Sequence, residues 1–188
     1  MLQPSTTLRH RKIYLLVGSP ATGKTTFIRS LIYSKGVYKA LVYDVNRETA
    51  YSKLPCVNVL KLGLYDVGKR RVIHNDPKQV IEYIIRDYHN GLLILDDVDR
   101  YLSPIMTQLQ SLLVSHRHNG LDIVAVFHSL ARVPPVFYET ANTIILKKTT
   151  EKPERALYKL PNDDKVLSAY NTLLTDPDPY KTIVVVCR

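Results

Sequence analysis

The residues best suited to chemistry are the eight from Gly18 to Thr25, which read Gly-Ser-Pro-Ala-Thr-Gly-Lys-Thr. They fit the pattern G-x-x-x-x-G-K-[ST], a loop whose backbone N–H groups surround phosphate oxygens. Gly23 lets the backbone approach a phosphate without a Cβ in the way. Lys24 supplies positive charge for the outer phosphates, and the Thr25 hydroxyl is placed for Mg²⁺. The predicted nucleotide-binding residues are Gly18, Ser19, Pro20, Ala21, Thr22, Gly23, Lys24, Thr25 and Thr26.

An acidic pattern lies farther along the chain. The apolar run 92–95 is typical of a buried strand, and Asp96 and Asp97 follow it directly, with Asp99 two residues later. An acid at the carboxyl end of a strand beside the phosphate loop can hold Mg²⁺ through water, which is the Walker B arrangement. We assign Asp96 to the metal together with Thr25. Asp97 is the candidate general base that activates an attacking water, and Asp99 stays open as an alternative.

Three further candidates follow the acidic pair. The apolar run 121–127 predicts a strand that ends at His128 and Ser129, and either side chain could sense a γ-phosphate there. A polar turn before Leu130 explains these two residues equally well. Arg117 closes the preceding helix and is a candidate arginine finger, a cation that reaches the nucleotide of a neighbouring subunit. An arginine at a helix C-terminus also interacts favourably with the helix dipole, so its role stays open.

Strands and helices alternate along the chain, as a site built at strand ends requires. Residues 47–71 show no clear pattern apart from a basic run. The alternation predicts an α/β fold with a mostly parallel sheet and helices on both faces, and the motifs make it a P-loop NTPase of the additional-strand class. Strands are predicted at 13–17, 40–45, 92–95, 121–127, 143–146 and 180–187, and helices at 25–33, 76–90, 103–119 and 163–174.

Length and composition limit the possible functions. A chain of 188 residues that is 45% hydrophobic predicts a single domain over residues 12–188, after a polar arm over residues 1–11. The net charge of +9 favours a polyanionic partner, nucleic acid above all. Cys56 and Cys187 have no C-x-x-C spacing and are expected to be buried, reduced thiols. We find no secretory signal and no transmembrane segment, which favours a cytoplasmic setting.

Five segments occur in an order that resembles a known group of proteins. They are GSPATGKT, VYDVN, LLILDDVD, SHRHNG and IVAVFHSLARVPP. Over residues 12–148 the chain resembles the FtsK/HerA superfamily of DNA-pumping ATPases. Its compact size is similar to the genome-packaging ATPases of tailless icosahedral viruses with an internal membrane. The Zot-like assembly ATPases of filamentous phages are close in pattern too.

The resemblance implies an ATPase that uses Mg²⁺ and forms a ring, a hexamer in such families, around double-stranded DNA. Asp97 stands where the family usually has the catalytic Glu, and His128 or Ser129 stands where it often has Gln. Arg117 matches an arginine that acts in trans. Because Asp is one methylene shorter than Glu, the attacking water must sit closer or hydrolysis will be slow.

The partners that the resemblance implies are DNA, bound without sequence preference, copies of this chain, and capsid or membrane-embedded vertex proteins. The implied location is the host cytoplasm or the virion. Phosphate contacts carry no sequence information and weaken with salt. Candidate DNA contacts are Lys69, Arg70 and Arg71, with Arg132 as a weaker candidate.

Two other functions stay open. A small-molecule kinase needs a lid with basic residues, for which Arg155 and Lys159 are the candidates. The doubled acid after the Walker B strand instead favours water as the acceptor. A nucleotide-gated loader or assembly module with little turnover is the second alternative, since Asp replaces Glu at position 97.

Overall fold

The computed structural model describes residues 11–151 and 163–187, and the N-terminal arm predicted over residues 1–11 therefore lies almost wholly outside them. The strands are β1 (Ile13–Val17), β2 (Lys39–Tyr43), β3 (Gly68–Val72), β4 (Leu92–Leu95), β5 (Asp122–Phe127), β6 (Thr143–Lys147) and β7 (Thr182–Val186). The helices are α1 (Lys24–Ile32), α2 (Pro77–Asp87), α3 (Met106–Ser115), α4 (Pro135–Thr140) and α5 (Asp163–Thr175). None of these helices is both long enough and apolar enough to cross a membrane.

All seven strands form a single sheet in the order β3-β2-β4-β5-β1-β6-β7. Every pair is parallel except β6 and β7, which are antiparallel. Strand β5 therefore lies between the P-loop strand β1 and the Walker B strand β4, as the additional-strand class requires. The predicted fold class is confirmed. The polar carboxyl ends of β1, β2, β4, β5 and β6 consequently meet at one edge of the sheet.

Both faces of the sheet are covered by apolar side chains. In β1, Leu15 belongs to the larger cluster and Leu16 to the smaller one, because successive residues of a strand point to opposite faces. The larger cluster includes residues of α2, α3 and α4, and the smaller one includes Ile28 and Ile32 of α1. Helices thus cover both faces, as predicted, and they hold the carboxyl-end edge of the sheet in a fixed geometry.

Local signals set several helix ends. Asp76 caps α2 by accepting a hydrogen bond from the Gln79 N–H at 3.2 Å, and Pro77 is the first helical residue, as predicted. The Ser103-Pro104 start predicted for the next helix forms a short 3₁₀ turn, and α3 itself begins at Met106. Helix α4 begins at Pro135 and leads into β6, the last strand with a parallel neighbour, and its start was not predicted from the sequence.

Two expectations need correction. Residues 47–71 contain 3₁₀ turns at Thr49–Tyr51 and Val59–Leu64 and most of the edge strand β3, so the basic run is part of the sheet. Cys56 is exposed and Cys187 is half-buried, so neither thiol is buried as expected. Cys56 lies on a bridge beside edge strand β3, where the sheet ends and solvent begins.

Candidate functional site

The P-loop follows β1 and is fastened to its neighbours by its first two N–H groups. Gly18 N–H donates to the Phe127 carbonyl at 3.2 Å, and Ser19 N–H donates to the Lys148 carbonyl at 3.0 Å. A Cβ at Gly18 would lie 2.7 Å from the Lys147 Cβ, so only glycine fits there. These bonds tie the loop to the ends of β5 and β6.

The middle of the loop has the backbone angles of an anion-binding turn. Ala21 and Gly23 both have left-handed backbone, with φ of 62° and 81°, a conformation that is costly for alanine and helps to form anion-binding concavities. Helix α1 begins directly afterwards, with no side chain capping its N-terminus and no acidic residue in its first turn. Its unpaired N–H groups and positive dipole end therefore favour an anion.

Lys24 lies across this loop with only 8% of its surface exposed. Its ammonium donates to the carbonyl oxygens of Gly18 at 2.6 Å and Ser19 at 3.0 Å. Burial lowers the pKa of this amine, while the nearby carboxylates, Asp97 first, oppose that shift. The Lys24 ammonium is thus buried beside several carboxylates at the phosphate loop. A phosphate oxygen bound there would also compensate its positive charge.

Asp96 lies at the end of β4 and is 6% exposed. Burial, followed by the charges of Asp97, Asp44 and Glu48, raises its pKa to about 7. The buried Tyr51 hydroxyl lies against this carboxylate and opposes part of that rise, although it does not reach hydrogen-bonding geometry. The charges that act most strongly on Asp96 are those of other acids, and such a group of carboxylates is suited to a divalent cation.

His128 connects the P-loop lysine to Asp97. Its Nδ1 lies 3.1 Å from the Lys24 ammonium, and its Nε2 lies 2.9 Å from Asp97 Oδ1. Lys24 can only donate, so this arrangement requires a ring whose proton is on Nε2 and is donated to Asp97. The other Asp97 oxygen accepts from the Asn46 amide, and Arg100 lies 3.9 Å away. Asp97 itself has left-handed backbone, with φ of 47°.

Asp99 and Ser129, the alternatives for base and sensor, contact other groups. Asp99 Oδ2 accepts the His128 backbone N–H at 3.2 Å and lies 3.8 Å from Arg132 Nη1. The Ser129 hydroxyl donates to Glu151, which also accepts from two backbone N–H groups of the turn at 130–131. Asp99 therefore holds the backbone beneath His128, and Ser129 is turned away from Lys24 toward Glu151.

Arg117 is placed far from this site within its own chain. It follows α3 and precedes β5, so it lies at the amino-end edge of the sheet, whereas the P-loop lies at the carboxyl-end edge. The six residues of β5 separate these edges by about 20 Å. Arg117 is exposed. Contact with a nucleotide is thus open to it only in a neighbouring molecule.

The basic run lies in β3 and is half-buried. Arg71 Nη1 lies 3.2 Å from Oδ2 of the fully buried Asp44. Lys69 and Arg70 lie over the rings of Tyr33 and Tyr65, at 4.8 and 4.1 Å from the ring centroids. DNA binding by these residues stays a prediction, and the structure gives each of them a contact inside its own chain. Arg132, by contrast, is largely exposed beside the site.

Three residues near the site were not singled out by sequence patterns. Asn46, the last residue of the VYDVN segment and three residues beyond the end of β2, contacts Asp97. Lys147 ends β6 against the P-loop, and Tyr180 lies against Gly23. The polar end of β2 was a signal for Asn46, while the other two depend on contacts between distant parts of the chain. Within the described ranges, no group of three or more His, Cys, Asp or Glu side chains is arranged to hold a metal.

Comparisons with known proteins extend this picture. No protein-family model matches the sequence, and no curated protein matches it either. Among solved structures, genome packaging NTPase B204 from Sulfolobus turreted icosahedral virus 2, in complex with AMP, matches with a TM-score of 0.75. The identity is 19%, and the match covers 94% of this chain and 92% of that chain. The chain has the fold of a P-loop NTPase.

Two other neighbours agree. B204, the DNA-packaging ATPase from Sulfolobus Turreted Icosahedral Virus, matches with a TM-score of 0.63 at 17% identity over 94% of this chain and 93% of that one. The N-terminal domain of zonular occludens toxin from Neisseria meningitidis matches with a TM-score of 0.52 at 14% identity, covering 94% of each chain. These likenesses confirm the resemblance seen in the sequence, and at such identities they establish the fold.

Proposed function

We propose that this protein hydrolyses ATP with Mg²⁺ and couples the reaction to movement of DNA in viral genome packaging. The observation that carries the proposal is the contact of His128 with both Lys24 and Asp97. Through this contact, His128 at the end of β5 connects the phosphate loop after β1 to Asp97, the acid after β4. A phosphate-binding cation and a candidate base thus lie on the two sides of one imidazole ring.

The residues divide the chemistry between them. The N–H groups at the start of α1 and the Lys24 ammonium bind the β- and γ-phosphates. Asp97 accepts a proton from, or orients, the water that attacks the γ-phosphorus in line with the leaving oxygen. His128 holds the side chains of Asp97 and Lys24 in a fixed relative position. It faces the place where the bond between the γ-phosphate and the rest of the nucleotide breaks.

The residues also fit a magnesium ion. Asp96 and the half-buried Thr25 would hold it, Asp96 through water, because Mg²⁺ prefers oxygen ligands and keeps several waters. A Mg²⁺ ion held by these residues would neutralise negative charge on the bound phosphates. The raised pKa of Asp96 supports this assignment, since a nearby dication stabilises the carboxylate against its burial and its acidic neighbours.

The DNA and ring parts of the proposal depend on charge and placement. The net charge of +9 favours a polyanion, and two structural neighbours are named as packaging enzymes of viruses. Arg117, at the opposite sheet edge, completes the site of the next subunit in a ring, which we expect to be a hexamer. Arg132, Lys69, Arg70 and Arg71 are the candidate DNA contacts. The protein would act in the host cytoplasm or in the virion, docked to capsid or vertex proteins.

The test is ATP hydrolysis with and without double-stranded DNA. We expect DNA to stimulate the wild type, and Lys24→Ala and Arg117→Ala each to lose about 10³-fold in rate. Mixing the two variants should restore part of the activity, because a ring then contains some sites with both groups intact. Arg86→Ala is the matched control, an exposed arginine in the last turn of helix α2 that pairs with Asp87.

Other results would separate the parts of the proposal. Hydrolysis that is indifferent to DNA, with Arg117→Ala fully active, would contradict a ring motor and leave a simple ATPase. ADP formation that depends on a metabolite, with the phosphoryl group transferred to that metabolite instead of released as phosphate, would favour a kinase. The residues proposed for a kinase lid, Arg155 and Lys159, lie outside the described residues.

A nucleotide-gated module with little turnover is the second candidate function. It is favoured by the contacts of Asp97, whose two carboxylate oxygens already face His128 and Asn46. A short carboxylate held on both sides is less free to activate water. Tight ATP binding with almost no phosphate release, with or without DNA, would support this function over the motor.

A further inference from the structure

The direction in which a nucleotide must lie follows from the placement of the site residues. Lys24, Asp97 and His128 surround the position of the terminal phosphate at the ends of β4 and β5. The P-loop follows β1, the next strand in the sheet. The rest of the nucleotide therefore extends to the other side of the P-loop, toward β6 and the turn that precedes β7.

Tyr180 stands at that position. A Cβ built on Gly23 would lie 3.2 Å from Tyr180 Cδ1 and 3.7 Å from the Lys147 ammonium, so the ring packs against the phosphate loop itself. The residue is nevertheless 63% exposed. One side of the Tyr180 ring thus contacts the loop, while most of its surface is open to solvent. Such a ring offers a π-face to a planar ligand.

The turn that carries Tyr180 is held rigidly by its own sequence. Asp176 Oδ1 accepts the Asp178 N–H at 2.9 Å, and Asp178 Oδ1 accepts the Tyr180 N–H at 2.8 Å. Pro177 and Pro179 alternate with these residues and fix two further backbone angles. Lys181 pairs with the Asp176 carboxylate as well. Such a turn fixes the backbone position from which the Tyr180 ring extends toward Gly23.

Lys147 connects the turn that carries Tyr180 to the P-loop. This lysine is 4% exposed, and its ammonium donates to the Tyr180 carbonyl at 3.0 Å and to the Thr182 hydroxyl at 2.8 Å. Lys148 donates in addition to the Asp176 carbonyl at 3.0 Å. Two successive residues at the end of β6 thus hold the turn against the loop that binds phosphate.

We propose that the turn 176–181 is the nucleoside subsite, and that the Tyr180 ring stacks on the base of the nucleotide bound by the P-loop. This inference rests on the nucleotide binding proposed above and adds the recognition of the base. Stacking accepts any base with an extended π-face. We therefore expect purine nucleotides to bind more tightly than pyrimidine nucleotides, with little discrimination between ATP and GTP.

The first experiment uses the absence of tryptophan from the chain. In a Tyr180→Trp variant the introduced residue is the sole indole, and we expect ATP to quench its fluorescence by stacking. Inorganic tripolyphosphate, which has the phosphates without a base, should bind without this quenching. Tyr38→Trp is the matched control, since Tyr38 is 69% exposed and precedes β2 at the opposite edge of the sheet.

The second experiment measures affinity by calorimetry. Tyr180→Ala should weaken ATP binding about tenfold, from the usual contribution of aromatic stacking, and should leave tripolyphosphate binding unchanged. Tyr180→Phe, which keeps the ring, should bind both ligands as the wild type does. Equal loss for both ligands, or no loss for ATP, would overturn the base subsite.

These outcomes separate the inference from the proposed function. A wild type that binds neither ligand would overturn nucleotide binding itself, and the subsite with it. A wild type that binds ATP through Tyr180 but shows no hydrolysis stimulated by DNA would overturn the motor and leave the subsite standing.

Discussion

The two edges of the sheet use polar side chains in opposite ways. At the amino-end edge, Asn142 Oδ1 accepts the Ile13 N–H and Asp122 Oδ1 accepts the Lys12 N–H, each at 2.8 Å. His116 contacts the carbonyl oxygens of Leu113 and Arg11 at 2.6 and 3.2 Å. These side chains complete the hydrogen bonding of backbone groups where strands begin, which the fold requires of any buried polar group.

At the carboxyl-end edge, charged side chains contact one another instead. Lys24 and Asp96 are both buried with shifted pKa values, and Asp97 lies between His128 and Asn46. Holding such charges out of water costs free energy that the fold alone does not recover. The difference indicates that the first edge serves stability and the second serves a charged ligand.

Several substitutions test this difference between the two edges of the sheet. We expect the largest effect on catalysis from a substitution of Asp97. Asp97→Asn keeps the size of the side chain and removes its basicity, so we expect kcat for ATP hydrolysis to fall about 10²- to 10⁴-fold. ATP affinity should change little. Asp99→Asn is the matched control, and we expect a smaller loss because Asp99 bonds to the His128 backbone. Equal losses in the two variants would leave the choice of base open to Asp99.

A second test compares two buried acids at the same edge. Asp44 is paired with Arg71, whereas Asp96 forms no salt bridge with any cation in the described part of the chain. Arg71→Ala should lower the free energy of unfolding by about 3 kcal/mol, since it leaves a buried carboxylate uncompensated. Urea denaturation measures this, with Lys69→Ala, the neighbour that lies over Tyr33, as the control.

The same pair of variants tests the DNA assignment. If the basic run binds DNA phosphates, Lys69→Ala should reduce both the affinity and its salt slope while stability stays near that of the wild type. Unchanged DNA binding in Lys69→Ala, together with unfolding of Arg71→Ala, would make the basic run structural.

The sequence predicted the parts of the site that local pattern determines. An apolar run followed by a glycine loop predicts β1 and the P-loop, and two acids after a run of Leu and Ile predict the end of β4. Strand β3 was not predicted, because the sequence of this edge strand, Gly-Lys-Arg-Arg-Val, does not alternate between apolar and polar residues. Its Arg71 is stabilised by Asp44, a residue 27 positions away.

The other parts of the site are determined by contacts between segments that are distant in the sequence. His128 and Ser129 are adjacent and polar, and only the position of Glu151 shows that Ser129 turns away from Lys24. Tyr180 meets Gly23 because β7 returns antiparallel to β6, a pairing that no local pattern specifies. Sequence therefore identifies the phosphate end of the site, and the tertiary fold identifies the base end.

The amino-end edge gives the fourth prediction. Asn142→Ala removes the partner of the Ile13 N–H, and Ile13 is fully buried. An unpaired buried donor costs about 1–3 kcal/mol, so we expect the urea midpoint to fall accordingly. The kcat of the folded variant should equal that of the wild type, as should the activity of Asn119→Ala, a second amide on this side of the sheet that bonds to the Ile85 carbonyl. A loss of kcat without a loss of stability would contradict the division between the two edges.

The last expected effect is the pH dependence of stability at the opposite edge. The pKa of Asp96 is raised to about 7 in the folded protein, whereas an unfolded chain has the ordinary value near 4. Between about pH 4 and pH 7 the folded state therefore holds a proton that the unfolded state releases, and stability falls as the pH rises through this window. We expect the urea midpoint, measured without Mg²⁺ or nucleotide, to be higher at pH 5 than at pH 8. Asp96→Asn should lose this component of the slope, while Asp122→Asn at the amino-end edge should keep it. An identical slope in the wild type and Asp96→Asn would show that the buried acid does not carry the cost we assign to it.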